Sequence, residues 1–259
     1  MLPILFLALM SNIGEPISPR IAAIDSKARL YPPKRSPWHG TNADALKVTL
    51  WNGNGTGVPL KLKVDAALGG DGKARDYYWF QAGKLTYGVQ SRVAGSEAVE
   101  RRMTFTAGKL TGVRERKAAS ETAVGAAAFR DLAAAEVAQL DQSVTSLVKE
   151  CLKAPGLRDR RAMVKSVESD RVIFQAGPGV EAWVSRRKGD NVSPSLVGRN
   201  VTYDFTAVDL DGHETDYLNA IRPLDKGAAV AAEPATKAEV KKPLARKTGK
   251  KRASARKRQ

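Results

Sequence analysis

Phe80-Gln81-Ala82-Gly83-Lys84-Leu85-Thr86 recurs as Phe105-Thr106-Ala107-Gly108-Lys109-Leu110-Thr111, at an offset of 25 residues. In each copy Ala-Gly stands where a tight hairpin needs a residue with positive φ. The flanks read as paired strands: Asp76-Tyr77-Tyr78-Trp79 with Gly88-Val89-Gln90-Ser91-Arg92, and Arg101-Arg102-Met103-Thr104 with Gly112-Val113-Arg114-Glu115-Arg116. Successive hairpins predict an antiparallel meander of at least four strands, and structural duplication accounts for the repeat. Upstream, Leu46, Val48 and Leu50 alternate with polar or small neighbours, and Leu60, Leu62 and Val64 do so again, so further strands precede the repeat.

After Ser120, a suitable helix N-cap, the period changes. Phe129, Leu132, Ala133, Val137, Leu140, Val144, Leu147, Val148 and Cys151 recur at spacings of three and four, and Pro155-Gly156 ends the pattern. One long amphipathic helix is expected, with its stripe lying on the sheet. The alternative is that the 129–151 face receives a protein partner, such as the same helix of a second copy. The stretch 76–153 resembles a set of exported bacterial proteins of uncharacterised role, built on Y-Y-F-x-x-G-K-L hairpins followed by an amphipathic helix. The motif stands here as Tyr77-Tyr78-Trp79-Phe80-Gln81-Ala82-Gly83-Lys84-Leu85. The resemblance implies a binding or envelope module rather than chemistry.

Beyond the helix, strand signals crowd residues 161–223. Candidate strands are 163–167, 171–176, 180–186, 200–208 and 215–222, with Gly177-Pro178-Gly179 turning between the second and third. Five short strands suit a small OB- or SH3-like barrel, because closure removes exposed sheet edges. Val201-Thr202-Tyr203-Asp204-Phe205, Asp211-Gly212 and Asn219-Ala220-Ile221-Arg222-Pro223-Leu224 together resemble the closing strands of cold-shock-type OB domains. That family binds single-stranded nucleic acid on aromatic-studded strands. Its glycine- and aromatic-rich central strands are replaced here by Arg171-Val172-Ile173-Phe174-Gln175, so the implied fold is better matched than the implied base stacking.

Phe174, Trp183, Tyr203, Phe205 and Tyr217 remain as material for a stacking platform. Alternation puts Trp183 with Glu181 and Ser185, opposite Val180, Ala182 and Val184, which leaves two readings: core or edge cover, the commoner use of an aromatic ring, or an outward base platform beside Arg186-Arg187-Lys188. Tyr203 and Phe205 align with Val201 and Ala207 and read as core. The candidate binding residues on the barrel are therefore Phe174, Trp183, Arg186, Arg187 and Lys188.

The most strongly biased segment is the end of the chain. Residues 237–259 hold eleven Lys and Arg against one acid, Glu239, out of a formal net charge of +16. With no aromatic residue the segment cannot bury a core, and a disordered, Ala/Lys/Arg-rich cation seeks anions. The tail is similar to the carboxyl tails of linker-histone-like and bacterial nucleoid proteins, which bind by charge without sequence preference. Lys250, Lys251, Arg252, Arg256, Lys257 and Arg258 are its candidate contacts. If five such charges met phosphates, the salt slope would be roughly −4 to −5.

Chemistry finds less support. Gly53-Asn54-Gly55-Thr56-Gly57 precedes a strand rather than a helix and lacks the Lys-Ser/Thr of a phosphate loop, so it reads as a turn. The acidic run 209–216 has its glycine fourth rather than sixth and Ala220 where a calcium loop needs glutamate. His39 and His213 lack a nucleophile in a recognisable setting, and Cys151 lies on the apolar stripe. A single cysteine excludes an internal disulfide. The expectation is a non-enzymatic protein with no cofactor and no metal. The opening Met-Leu-Pro-Ile-Leu-Phe-Leu-Ala-Leu-Met is too short to span a bilayer; it suits a signal segment and favours export slightly, with a cytoplasmic location if it is not one.

The expected organisation is α+β: an apolar start and Pro-rich lead-in over 1–45, and a β-meander with one long helix over 46–155. A five-stranded OB-like barrel over 158–225 and a basic tail over 226–259 follow. The expected function is binding of nucleic acid or another polyanion. The alternative is an exported envelope protein whose tail holds anionic polymer or lipid.

Overall fold

The computed structural model describes residues 18–41, 44–53, 57–210 and 213–224. The apolar start, the Asp211-Gly212 turn and the whole basic tail, with Lys250, Lys251, Arg252, Arg256, Lys257 and Arg258, lie outside the described residues.

The Pro-rich lead-in contains a helix. Pro19 occupies the first turn of a helix, α1 (Pro19–Arg29), where its missing N–H costs nothing. Ile21, Ile24 and Ala28 form its buried stripe. Two short strands follow, β1 (Lys34–Arg35) and β2 (Trp38–Gly40).

Strands β3 (Ala45–Asn52), β4 (Pro59–Leu68), β5 (Gly72–Gln81), β6 (Lys84–Ala94), β7 (Glu97–Thr106) and β8 (Lys109–Ala118) pair successively and antiparallel. Two-residue turns close Gln81↔Lys84 and Thr106↔Lys109. Both turn residues take positive φ in each copy: Ala82 at 48° with Gly83 at 75°, and Ala107 at 54° with Gly108 at 90°. That backbone matches the right-handed twist of the strands it joins.

The expected single helix from Ser120 is broken. Ser120 does cap a helix, its hydroxyl accepting from the Ala123 N–H, but that helix, α2, spans only Glu121–Val124. Phe129 leaves the apolar stripe, a short strand β9 (Arg130–Asp131) pairs with β8, and the long helix α3 runs Ala134–Cys151. Glu136 accepts from the Ala133 N–H at 3.0 Å, satisfying a donor at the helix start. Val137, Val144, Val148 and Cys151 share one core with Val48, Leu62, Val64, Tyr78, Met103, Phe105 and Val113 of the sheet. The face proposed for a protein partner is thereby consumed inside the chain, because burial of each large apolar side chain stabilises by roughly 1.5–3 kcal/mol.

Five strands then make a closed barrel compatible with an OB-like fold: β10 (Arg161–Val167), β11 (Arg171–Gly177), β12 (Val180–Ser185), β13 (Asn200–Leu210) and β14 (His213–Pro223). Their order is β11-β10-β13-β14-β12, closed by pairing of β11 with β12. The β12–β14 contact is parallel, at Ser185↔Tyr217, and the other four are antiparallel. Val164, Val172, Phe174, Ala182, Val184 and Val201 fill the interior with no exposed surface.

The two β regions are continuous. One edge of β12 is divided between partners: Ser185 pairs with β14, while Glu181, Ala182 and Trp183 pair with Gly40, His39 and Trp38 of β2, which in turn pairs with β3. A buried ion pair also joins them, Lys47 Nζ to Asp216 Oδ1 at 2.7 Å with both side chains 1% exposed.

Candidate functional site

Inward Ala182 and Val184 force Trp183 and Ser185 to the outer surface of β12, since successive side chains alternate. Residues paired across strands share a face. Trp38, opposite Trp183, and Tyr217, opposite Ser185, therefore stand on that same outer surface, each half-buried. Directly opposed side chains lie about 5 Å apart at Cβ, and a diagonal neighbour roughly 7–8 Å away. The outcome is an aromatic row, Trp38–Trp183–Tyr217, with Ile173 of β11 opposite Trp183 on its other side.

At the end of β12 the chain turns through Arg186-Arg187-Lys188. These residues, with Val208 and Tyr217, wall an open cleft of ≈ 340 Å³. Arg187 and Lys188 are exposed and have no acidic side chain within ion-pair distance among the described residues. The Arg187 guanidinium lies 5.4 Å from the Tyr217 ring centroid, and its backbone N–H donates to Asp190 Oδ2 at 2.8 Å.

Arg186 takes another role. Its terminal nitrogens donate to the carbonyls of Glu168 and Asp190, stapling the β10–β11 turn to the loop after β12. Its Nε is buried with no hydrogen-bond partner. A group so held is a fixed positive wall rather than a mobile arm.

Phe174 is corrected outright. It is 0% exposed and stacks on Tyr203 at 4.3 Å between centroids, so no base can reach it. Tyr203 and Phe205 are buried with it, and burial pushes the Tyr203 hydroxyl up to about 12. Trp38 is the residue that sequence reading missed, lost in a proline-rich stretch whose pairing to β12 has no local signature.

Other clusters of chemical interest are spent internally. Lys61 Nζ bonds Asp25 at 2.7 Å and sits 4.9–5.8 Å from the ring centroids of Trp79, Tyr77 and Trp51, so that aromatic cage is filled by the chain itself. Beneath α3, Asp76 Oδ2 accepts from the Tyr78 hydroxyl at 3.2 Å and Gln90 Nε2 at 3.1 Å. Burial raises the Asp76 carboxyl to about 6, with the Arg92 guanidinium the strongest influence the other way. Cys151 is 1% exposed and its thiol is pushed up to about 12 by burial and by Asp76, so it is a packing residue and a poor nucleophile. His39 is buried, with Nδ1 3.1 Å from the Pro37 carbonyl, and burial lowers its pKa.

Among the described residues no group of His, Cys, Asp and Glu could hold a metal ion, and no helix is long and apolar enough to cross a membrane. Comparison with family models, with characterised proteins and with solved structures returned no match.

Proposed function

We propose that this chain is a non-enzymatic polyanion-binding protein whose ligand is single-stranded nucleic acid. The observation that carries the reading is the strand register that aligns Trp38, Trp183 and Tyr217 on one surface beside a cleft walled by Arg186, Arg187 and Lys188. Unpaired bases have a free π-face, and stacking on an aromatic side chain contributes about 1–3 kcal/mol per base. Neighbouring cations take the backbone phosphates and release counterions. The tail over 237–259 adds charge attraction without choosing between strands.

The reading separates stacking from charge, and so does its test. A Trp38→Ala/Trp183→Ala variant is titrated with single-stranded and duplex DNA of equal length. Loss of tenfold or more on the single strand, with duplex affinity unchanged, is expected from the stacking estimate of about 1–3 kcal/mol per base. Deletion of residues 237–259 lowers both affinities and flattens the salt slope. Equal affinity of the variant and the native chain for the single strand would remove the barrel from the account. Binding to anionic vesicles or acidic polymer but to no oligonucleotide would transfer the protein to an envelope role.

A further inference from the structure

We propose that the cleft formed by Arg186, Arg187, Lys188, Val208 and Tyr217 receives a phosphomonoester, a terminal phosphate, in preference to an internal phosphodiester. The proposal rests on the nucleic-acid reading above and specifies which phosphate the cleft takes.

Charge is the first reason. The described wall carries three cationic side chains and no acidic one. A phosphodiester carries a single negative charge, whereas a phosphomonoester carries about −1.5 to −2 at pH 7 and offers three strong acceptor oxygens. The second reason is preorganisation. Arg186 is pinned by the carbonyls of Glu168 and Asp190, so its positive charge stands fixed in the wall before any ligand arrives. Asp190 serves the same end by fixing the Arg187 backbone rather than neutralising a guanidinium, since its Oδ2 accepts from the Arg187 N–H.

Shape is the third. A cleft of ≈ 340 Å³ is at the small end of ligand sites, sufficient for one nucleotide unit. Tyr217 and Val208 supply an apolar wall for sugar or base next to the cations. One end of a strand, or a free nucleotide, meets all of these conditions, and the two sources share the phosphomonoester.

The test uses the full chain and three single-stranded oligonucleotides of one sequence, ending in 5′-phosphate, 3′-phosphate or hydroxyls only. The aromatic row meets all three alike, and the tail, which senses the added charge, is kept in every variant, so the change in the ratio on substituting the cleft isolates the cleft. One phosphorylated strand is expected to bind about tenfold more tightly than the hydroxyl strand, the size of one good hydrogen bond to a charged group. Arg187→Gln/Lys188→Gln lowers the ratio to the small value that the tail alone gives, and an unchanged ratio in the variant overturns the proposal; both side chains are exposed, so folding is retained. The ratio also declines from pH 8 to pH 5, as the phosphate with its second pKa near 6 gains a proton. Adenosine 5′-monophosphate, with adenosine as control, identifies the source: competition by the nucleotide indicates free nucleotide, and its absence indicates a strand end. Equal affinity of the native chain for all three strands overturns the proposal and leaves the nucleic-acid reading standing. Failure of every strand to bind overturns both.

Discussion

The Arg102–Arg116 cluster of the meander and the Arg187–Lys188 cleft of the barrel treat positive charge in opposite ways. In the meander, Arg102 and Arg116 are 7% and 6% exposed, and both bond to Glu100, at 3.1 and 2.5 Å, beneath the ring of Phe129. Arg101 and Arg130 close on Glu115 at 2.8 and 2.7 Å. In the barrel, Arg187 and Lys188 face solvent beside an aromatic ring, with no such acid among the described residues. Burial makes pairing compulsory, because an unpaired charge in the interior is penalised heavily. Exposure removes that compulsion, so an unpaired cation there is free to meet a ligand. A count of Lys and Arg therefore says little about binding until each has been matched with an acid.

The comparison is most exposed at Glu100. Glu100→Gln leaves Arg102 and Arg116 buried without their carboxylate and is expected to cost about 3–5 kcal/mol in urea unfolding. Arg187→Gln or Lys188→Gln should stay within about 0.5 kcal/mol of the native chain. Similar costs at both places would dissolve the distinction.

Within the barrel, Phe174 and Trp183 divide stability from binding. Phe174→Ala empties the core and should cost about 3–5 kcal/mol, with affinity per folded molecule unchanged. Trp183→Ala should lose affinity and leave the unfolding midpoint comparatively untouched. Reversal of that pattern, read from paired melts and titrations, would return Trp183 to the packing.

Asp76 is the meander's exception, a buried carboxyl that burial raises from 3.8 to about 6. The folded state then holds the proton more tightly than the unfolded chain. Its contribution is complete below pH 4 and is lost as the pH rises through 6. Against Asp76→Asn, the native chain should lose about 2 kcal/mol between pH 4 and pH 7. A constant difference across that range would mean the carboxyl does not titrate there. A stabilising effect is expected at the turns. Ala82→Gly or Ala107→Gly removes the strain of a Cβ at positive φ and should raise stability by about 1 kcal/mol.

Much of the barrel was legible because its strands follow a strict two-residue period. Val172 and Phe174 share a face in that pattern, so the burial of Phe174 could have been read beside the outward turn of Trp183. The helix α1 was also within reach: Ile21, Ile24 and Ala28 keep helical spacing after Pro19, and the surrounding prolines hid it. Phe129 was misplaced because apolar spacing does not distinguish a helix stripe from a ring laid on arginines.

Local periodicity, turn chemistry and charge bias belong to neighbouring residues, so the amino-acid sequence alone determined a β-rich body, a five-stranded barrel and a cationic carboxyl end. The pairing of Trp38 with Trp183, the Lys47–Asp216 bond between residues 169 apart, and the use of Arg186 as a staple depend on which distant strands meet. Only the tertiary structure decided these, because strand pairing brings together residues whose spacing along the chain carries no record of the contact.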